Sequence, residues 1–145
     1  MYIHHSVLKG LNTPKDVGTR EHTRYPYADV EGRQLYVTNG KIIAILPLAI
    51  DEGDCSGLVP LDAIKAARRG SGVKKNRMVR GMHYTNVNGT LFPNPHSDTP
   101  YPLLKAMALR QEAQGQEMHI GFDAQQLAIL AEMITMGENG KSRVI

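Results

Sequence analysis

The sequence of 145 residues contains one cysteine, no tryptophan and only two phenylalanines. Because Cys55 is the single thiol, a disulfide within the chain is excluded, and we expect a reducing, cytoplasmic environment. With so few large aromatic rings, the core must be built from aliphatic side chains and from the seven methionines. The composition is otherwise that of an ordinary globular domain, since 41% of the residues are hydrophobic and 21% are charged.

Several signatures of large protein classes are also missing. The first residues show no cationic region followed by an apolar run, so no signal peptide is expected. The most apolar run, Ile42–Ile50, is too short to cross a bilayer and contains Pro47. Neither GxxxxGK[ST] nor GxGxxG occurs, which removes support for a nucleotide-binding enzyme. We therefore expect one intracellular domain over residues 1–145.

The positive charge of the chain is concentrated in one window, Leu61–Arg80. That window holds seven bases and one acid, Asp62, a net charge of +6, whereas the whole chain carries +3 and the remainder therefore −3. The seven bases are Lys65, Arg68, Arg69, Lys74, Lys75, Arg77 and Arg80. No aromatic residue lies among them, so phosphate contact with a duplex fits better than stacking on single strands.

The histidines do not form a recognisable metal motif. His4 and His5 are adjacent and are expected to lie in solvent near the N-terminus. The other four histidines show no HxH, HExxH or Cys/His ligand spacing, so no metal and no cofactor is predicted. The acidic segment 51–54 lacks the alternating oxygen ligands of a calcium loop and is interpreted as a solvated turn.

Cys55 offers one alternative chemistry. The segment Gly53–Gly57 is similar to the GDSGG nucleophile segment of trypsin-like proteases only out of register, and no matching histidine segment is present. A hydrolase that uses Cys55 and a histidine stays an alternative, with a loop thiol as the simpler interpretation.

The clearest pattern in the first half of the chain is that of a small antiparallel sheet. Tyr25–Val30 is predicted to be a short edge strand, and Gln34–Val37 the next strand. Asn39–Gly40 predicts a type I′ hairpin turn. Lys41–Ile50 is apolar at successive positions, which predicts a strand buried on both faces, with a bulge or an end to pairing at Pro47.

The second half combines one basic helix with further strands. A helix is predicted from Pro60 or Leu61 to Arg69, with Ala63, Ile64 and Ala67 on its buried side. A strand is predicted over Asn76–Thr85, and the Asn88–Gly89 turn introduces another at Thr90–Phe92.

The two ends of the chain differ in the strength of their patterns. Residues 1–23 are predicted to be a weakly ordered segment, and residues 93–116 an insertion made of a loop and a short helix. A strand is expected at Glu117–Gly121. The last helix is predicted to begin with the capping pair Asp123 and Gln126 and to be closed by Gly137. Hairpins and segregated helices together indicate an α+β domain.

Four short segments, in this order, resemble bacterial DNA sliding clamps, the beta subunit of DNA polymerase III. Leu35–Ala44, LYVTNGKIIA, resembles a clamp strand–turn–strand, although Asn39 replaces the Asp of its TDG turn. Gly57–Lys65, GLVPLDAIK, is similar to the segment in which a strand ending in Val-Pro leads into a helix. Phe92-Pro93 and Met118–Leu130 are similar to segments at clamp domain ends and openings.

The resemblance implies a sliding-clamp-like fold with antiparallel sheets and two principal helices, over residues 24–136. In that family the sheets form an outer wall, and paired helices carry basic side chains toward DNA in the central hole. The helices at 61–69 and 124–136 would be that pair, with Lys65, Arg68 and Arg69 toward the duplex. A clamp chain has three such domains and two chains close a six-domain ring, so the single domain expected here would either assemble with itself as a homo-oligomer or be cut from a longer polypeptide.

The resulting functional prediction is a DNA-replication accessory or processivity-type protein, not an enzyme. It would contact duplex DNA non-specifically through the seven bases named above, and a replication protein is a further expected partner. The first alternative is a clamp-like protein–protein interaction module of phage or mobile-element type, whose basic belt binds an acidic partner. The second is the Cys55-dependent hydrolase.

Overall fold

The chain folds into two antiparallel sheets and a few short helices, so the predicted α+β class is confirmed. In the computed structural model, the described residues are 1–11, 21–40, 43–96, 128–129 and 131–133. The elements are a 3-10 helix at His5–Gly10, α1 at Glu21–Arg24, β1 at Tyr27–Asp29, β2 at Gln34–Thr38, β3 at Ile43–Pro47, β4 at Gly57–Leu58, α2 at Leu61–Arg68, a second 3-10 helix at Gly72–Lys74, β5 at Val79–Arg80, β6 at Tyr84–Val87 and β7 at Thr90–Pro93. Residues 128–129 and 131–133 are also helical.

The larger sheet has the strand order β3-β2-β1-β4. β1 pairs with β2 on one side and with β4 on the other, so the prediction of an edge strand at Tyr25–Val30 is wrong. Pro26 is compatible with this interior position because it immediately precedes β1, where its missing N–H falls outside the ladder. Its carbonyl accepts a hydrogen bond from Val59 N–H at 2.9 Å, which ties the start of β1 to the chain after β4.

β3 is an edge strand, and the prediction that it is buried on both faces is also wrong. Ala44 is 4% exposed whereas its neighbour Ile45 is 39% exposed, so the strand has one inner and one outer face. An apolar run without alternation therefore does not distinguish a central strand from an edge strand. The strand ends at Pro47, as predicted for the end of pairing.

The two Asn-Gly turns behave differently. Asn88 and Gly89 have φ values of 55° and 92°, and Val87 pairs with Thr90, which gives the two-residue hairpin that this dipeptide predicts. At the first turn Gly40 has a positive φ but Asn39 does not, and Thr38 pairs with Ile43. Four residues separate the strands there, so the predicted type I′ turn is wrong.

The smaller sheet is a meander in the order β5-β6-β7. Asn76–Thr85 was predicted as one strand, but it divides into β5 and β6 because Gly81 N–H bonds to Tyr84 O at 2.9 Å and closes a turn. Thr85 and Val87 face the core, at 0% and 7% exposure. The opposite face carries exposed apolar side chains: Val79, Tyr84 and Leu91.

α2 packs against the core as its apolar spacing predicts. Ala63, Ile64 and Ala67 are buried, whereas Lys65 and Arg68 are exposed on the opposite side. Pro60 and Arg69 occupy the positions that cap this helix. The predicted helix is thus confirmed to within one residue at its C-terminal end.

The first eleven residues form part of the core, in contrast to the weakly ordered segment predicted over residues 1–23. Met1, Ile3 and Val7 are 0%, 1% and 2% exposed. Tyr2 forms isolated β-bridges to Ala49 and Arg77, and so joins the N-terminus to two distant parts of the chain. The sequence misses this packing because the segment is too short to show strand or helix periodicity.

The C-terminal predictions fall largely outside the described residues. Residues 97–127 include most of the predicted insertion and the whole predicted strand at Glu117–Gly121. Of the last helix, Met133 is buried in the core, where its side chain lies against Gly10. Lys9 Nζ and Glu132 Oε2 form an ion pair at 2.6 Å beside it. Across the described ranges, no helix is long and apolar enough to cross a membrane.

Candidate anion-binding surface

Three of the predicted DNA-contacting bases lie at the C-terminal end of α2. Lys65, Arg68 and Arg69 are all exposed, and Arg69 is the C-cap residue. Cations at this end of a helix are stabilised by the unpaired carbonyl groups of its last turn. Asp62 Oδ1 is 3.9 Å from Lys65 Nζ, a loose surface contact between two exposed side chains.

The following segment folds back onto the same end of the helix and brings two more cations there. Asn76 N–H donates to Ala67 O at 2.8 Å, and Asn76 adopts a φ of 60° that reverses the chain. Lys74 and Lys75, which precede this reversal, are exposed beside the end of α2. We call the resulting group the exposed cationic surface; it comprises Lys65, Arg68, Arg69, Lys74 and Lys75.

Arg80 does not belong to this surface, although the sequence analysis included it among the DNA-contacting residues. It is 5% exposed. Its Nε donates to Leu58 O at 2.7 Å, and its Nη1 lies within hydrogen-bond distance of three further carbonyl oxygens, those of Cys55, Ser56 and Gly81. Burial lowers the pKa of this guanidinium. Arg80 is thus a structural residue that links β5 to the 55–58 segment.

Arg77 occupies an intermediate position. Its Nη1 lies 3.4 Å from Asp51 Oδ2, and its guanidinium lies over the ring of Tyr2, 5.7 Å from the centroid. Asp51 also binds the Met1 ammonium group at 2.9 Å, and this hydrogen bond is the main reason that the pKa of Asp51 is lowered. Arg77 is therefore half-buried and already contacts Asp51 and Tyr2, so it is not counted in the exposed cationic surface.

A cleft of about 860 Å³ lies between the end of α2 and the hairpin of β6 and β7. The cations Arg69, Lys74 and Arg77 line it, together with Asp51. Its apolar lining includes Val73, Met78, Val79 and Val87, and its uncharged polar lining is Asn86, Asn88 and Thr90. This cleft could not be predicted from the sequence, because its two walls come from segments that no local pattern connects. The sequence indicated only the concentration of bases in the segment that forms one wall.

His4 and His5 were expected to lie in solvent, but both are half-buried beside the exposed cationic surface. Their rings are 4.2 Å apart, and His4 Nδ1 accepts a hydrogen bond from Ser6 N–H at 3.2 Å. Burial lowers the pKa of His4, and the charges of His5, Lys75 and Arg68 lower it further. The pKa of His5 is lowered by burial first and then by Arg68, with the Asn76 side chain acting in the opposite direction.

This arrangement predicts a loss of stability in mild acid. A lowered folded-state pKa means that the unfolded chain binds more protons, so the contribution to stability is complete above pH 6.5 and is lost as the pH falls toward the folded-state pKa. We expect the urea midpoint to fall between pH 7.5 and pH 5.5. The double variant His4→Asn/His5→Gln should show a flatter pH profile, and an unchanged profile would contradict the assignment.

The alternative chemistries receive little geometric support in the described part of the chain. The Cys55 thiol makes a hydrogen bond to Gly53 O at 3.8 Å, and no histidine among the described residues is hydrogen-bonded to it. Nor does that part of the chain contain a group of three or more His, Cys, Asp or Glu side chains that could hold a metal ion.

We compared the chain with protein-family models, curated proteins and solved structures. None of them matches it. The clamp-like fold therefore stays a prediction from the sequence segments, and the function must be argued from the exposed cationic surface and the cleft.

Proposed function

We propose that the protein is a sliding-clamp-like replication accessory domain that contacts duplex DNA non-specifically, without covalent chemistry. The observation that carries this proposal is a group of five exposed cations at the end of α2, where the chain reversal at Asn76 brings Lys74 and Lys75 beside the three cations of the helix. Between residues 61 and 77 the only carboxylate is Asp62, so a phosphate backbone would meet little repulsion.

The residue types favour phosphate contact over base recognition. Lys and Arg side chains neutralise phosphates and release counterions, which gives affinity without sequence preference. Each neutralised phosphate contributes about −0.9 to the slope of log K against log salt concentration. Five contacts would therefore give a slope no steeper than about −4.5.

A clamp-like role also requires an assembly that can surround DNA. The antiparallel sheet β3-β2-β1-β4 with α2 following β4 supports a wall-and-helix arrangement. One domain per chain would need self-association to close a ring of six. Light scattering at two salt concentrations measures whether the protein reaches that size, and a monomer would favour an open contact with the duplex.

The proposal predicts that charge reversal at the end of α2 abolishes retention on duplex DNA. Arg68→Glu combined with Arg69→Glu replaces two attractive contacts by repulsive ones, while both side chains are exposed and the melting temperature should change little. Retention of the full chain is measured by filter binding or polarisation at 50 mM and 200 mM salt.

A matched control separates local contact from net charge. Arg33 is exposed on the turn between β1 and β2, away from the bases of residues 65–77 in sequence. Arg33→Glu changes the net charge by the same amount as Arg68→Glu, and we expect retention to fall with Arg68→Glu only. Equal losses in both single variants, or unchanged retention in the double variant, would overturn the DNA role.

One observation favours the alternative of an acidic protein partner. Val73 is 84% exposed next to Lys74, and a protein interface would bury this apolar side chain whereas a phosphate backbone would not. If the unmodified protein shows no salt-dependent retention on a duplex, its exposed cationic surface is better explained by a partner that carries carboxylates.

A further inference from the structure

The cleft between α2 and the β6–β7 hairpin has the dimensions of a small-molecule site. Its volume of about 860 Å³ falls in the range of about 300–1,000 Å³ that ligand pockets occupy. One wall is formed by Ala66, Ala67, Arg69 and Gly70 at the end of α2, and the other by the hairpin residues 86–90. The two walls are joined through residues 77–79, and Val79 pairs with Asn86 in the smaller sheet, so the cleft lies on the surface between two connected elements.

The polar lining of this cleft offers mainly hydrogen-bond donors. Arg69, Lys74 and Arg77 are cations that have no acceptor atoms. Asn86 Oδ1 accepts a hydrogen bond from Gly89 N–H at 2.8 Å. This bond fixes the orientation of the amide and leaves its NH₂ group as a donor, so a fourth donor is contributed by the opposite wall.

Asp51 is the only carboxylate among the described residues that line the cleft, and its charge is already compensated. Its Oδ2 binds the Met1 ammonium group at 2.9 Å and lies 3.4 Å from Arg77 Nη1. The lining therefore retains a net positive charge. A ligand that supplies several acceptor oxygens with negative charge, such as a phosphate group, satisfies these donors best.

Apart from Asn88 and Thr90, the remaining lining is largely apolar, which determines the chemistry expected for the rest of the ligand. Val73 and Val79 are exposed at 84% and 38%, and Met78 and Val87 lie behind them. An inorganic ion would leave this surface uncovered, whereas a carbon-rich ring system attached to the phosphate would bury it. We propose that the cleft binds a phosphorylated small molecule of nucleotide size, with its phosphates toward Arg69, Lys74 and Arg77.

This inference goes beyond the duplex contact proposed above, because Arg77, Asn86 and the apolar lining do not belong to the exposed cationic surface. The sharpest variant is Asn86→Asp. An aspartate keeps the oxygen that accepts from Gly89 N–H, but it replaces the donor NH₂ by a charged acceptor. Asn39→Asp, in the turn between β2 and β3 and outside the cleft lining, introduces the same charge elsewhere.

The test uses isothermal titration of the full chain with adenosine 5′-triphosphate, adenosine 5′-monophosphate, adenosine and inorganic phosphate. We expect the two nucleotides to bind, adenosine not to bind, and inorganic phosphate to bind at least about tenfold more weakly. Asn86→Asp should weaken nucleotide binding about tenfold or more, because a charge-assisted hydrogen bond is lost and a repulsion is added. Asn39→Asp should leave it within about twofold.

Two further measurements distinguish nucleotide binding in the cleft from duplex contact and from binding of the phosphorylated end of a strand. Asn86→Asp should retain duplex binding, and Arg68→Glu should retain nucleotide binding, so either function can fail alone. Competition by a 5′-phosphorylated oligonucleotide, but not by its 5′-hydroxyl form, would assign the cleft to strand termini; competition by neither would assign it to free nucleotides. Absence of nucleotide binding, or equal binding by Asn86→Asp and the unmodified protein, would overturn the proposal.

Discussion

Arg80→Met is expected to lower the free energy of unfolding by about 3 kcal/mol or more. The guanidinium of Arg80 donates to the carbonyl oxygens of residues 55, 56, 58 and 81 at 2.7–3.2 Å, and the side chain is 5% exposed. Methionine fills much of the same volume but donates no hydrogen bond, so the carbonyl oxygens of residues 55, 56 and 58 lose the donor that Arg80 supplies, whereas Gly81 O keeps the bond from Asn94 Nδ2. The loss is measured by urea unfolding, read as a lower midpoint at an unchanged slope.

Two further variants serve as controls for Arg80→Met. Arg69→Met removes an exposed arginine at the end of α2 and should change stability by no more than about 0.5 kcal/mol. Arg80→Lys keeps the charge, but a single ammonium group cannot replace the fork of a guanidinium, so an intermediate loss is expected. If Arg80→Met is as stable as Arg69→Met, Arg80 does not have the structural role assigned to it here.

Asp54→Asn is expected to be nearly as damaging, at about 3–5 kcal/mol. The side chain of Asp54 is 0% exposed, and its Oδ2 binds the equally buried Met1 ammonium group at 2.7 Å. The same carboxylate accepts from the backbone N–H groups of Asp51 and Arg80, at 2.8 Å and 3.0 Å. Asparagine has the same shape but leaves the ammonium charge with less compensation, and its NH₂ group faces other donors.

The measurement is again the free energy of unfolding, at pH 7.5. Asp51→Asn should cost less, because Asp51 is 43% exposed and Asp54 would still compensate the ammonium charge. Asp62→Asn, in a side chain that is 80% exposed, serves as the control and should be close to neutral. Equal stabilities of Asp54→Asn and Asp62→Asn would show that the buried ion pair contributes nothing measurable.

Local features of the fold could be predicted from the sequence where one short segment determines its own structure. α2 was predicted within one residue because its apolar spacing and Gly70 act within three turns. The Asn88–Gly89 hairpin was predicted because positive φ values at both positions fit that dipeptide. The edge position of β3 and the interior position of β1 depend on the pairing of β1 with β4, which is distant in sequence. No local pattern contains that information.

The candidate site could likewise be predicted only in part from the sequence. The window of residues 61–80 indicated where positive charge is concentrated, and five of its seven bases are exposed there. Arg80 could not be distinguished from them, because its partners are backbone carbonyls, which every residue type provides. His4 and His5 were also misjudged, since their neighbours Arg68 and Lys75 lie more than sixty positions away in the sequence.

The packing of the first residues has a consequence for the order of events during synthesis. Met1 N–H donates to Met78 O at 2.6 Å, Ile3 N–H donates to Asn76 O at 2.9 Å, and Tyr2 bridges Ala49 and Arg77. This segment must wait for residues translated some seventy positions later, which takes seconds at about 5–20 residues per second. Until then Met1, Ile3 and Val7 present their apolar side chains to solvent or to a chaperone, and the core closes late in translation.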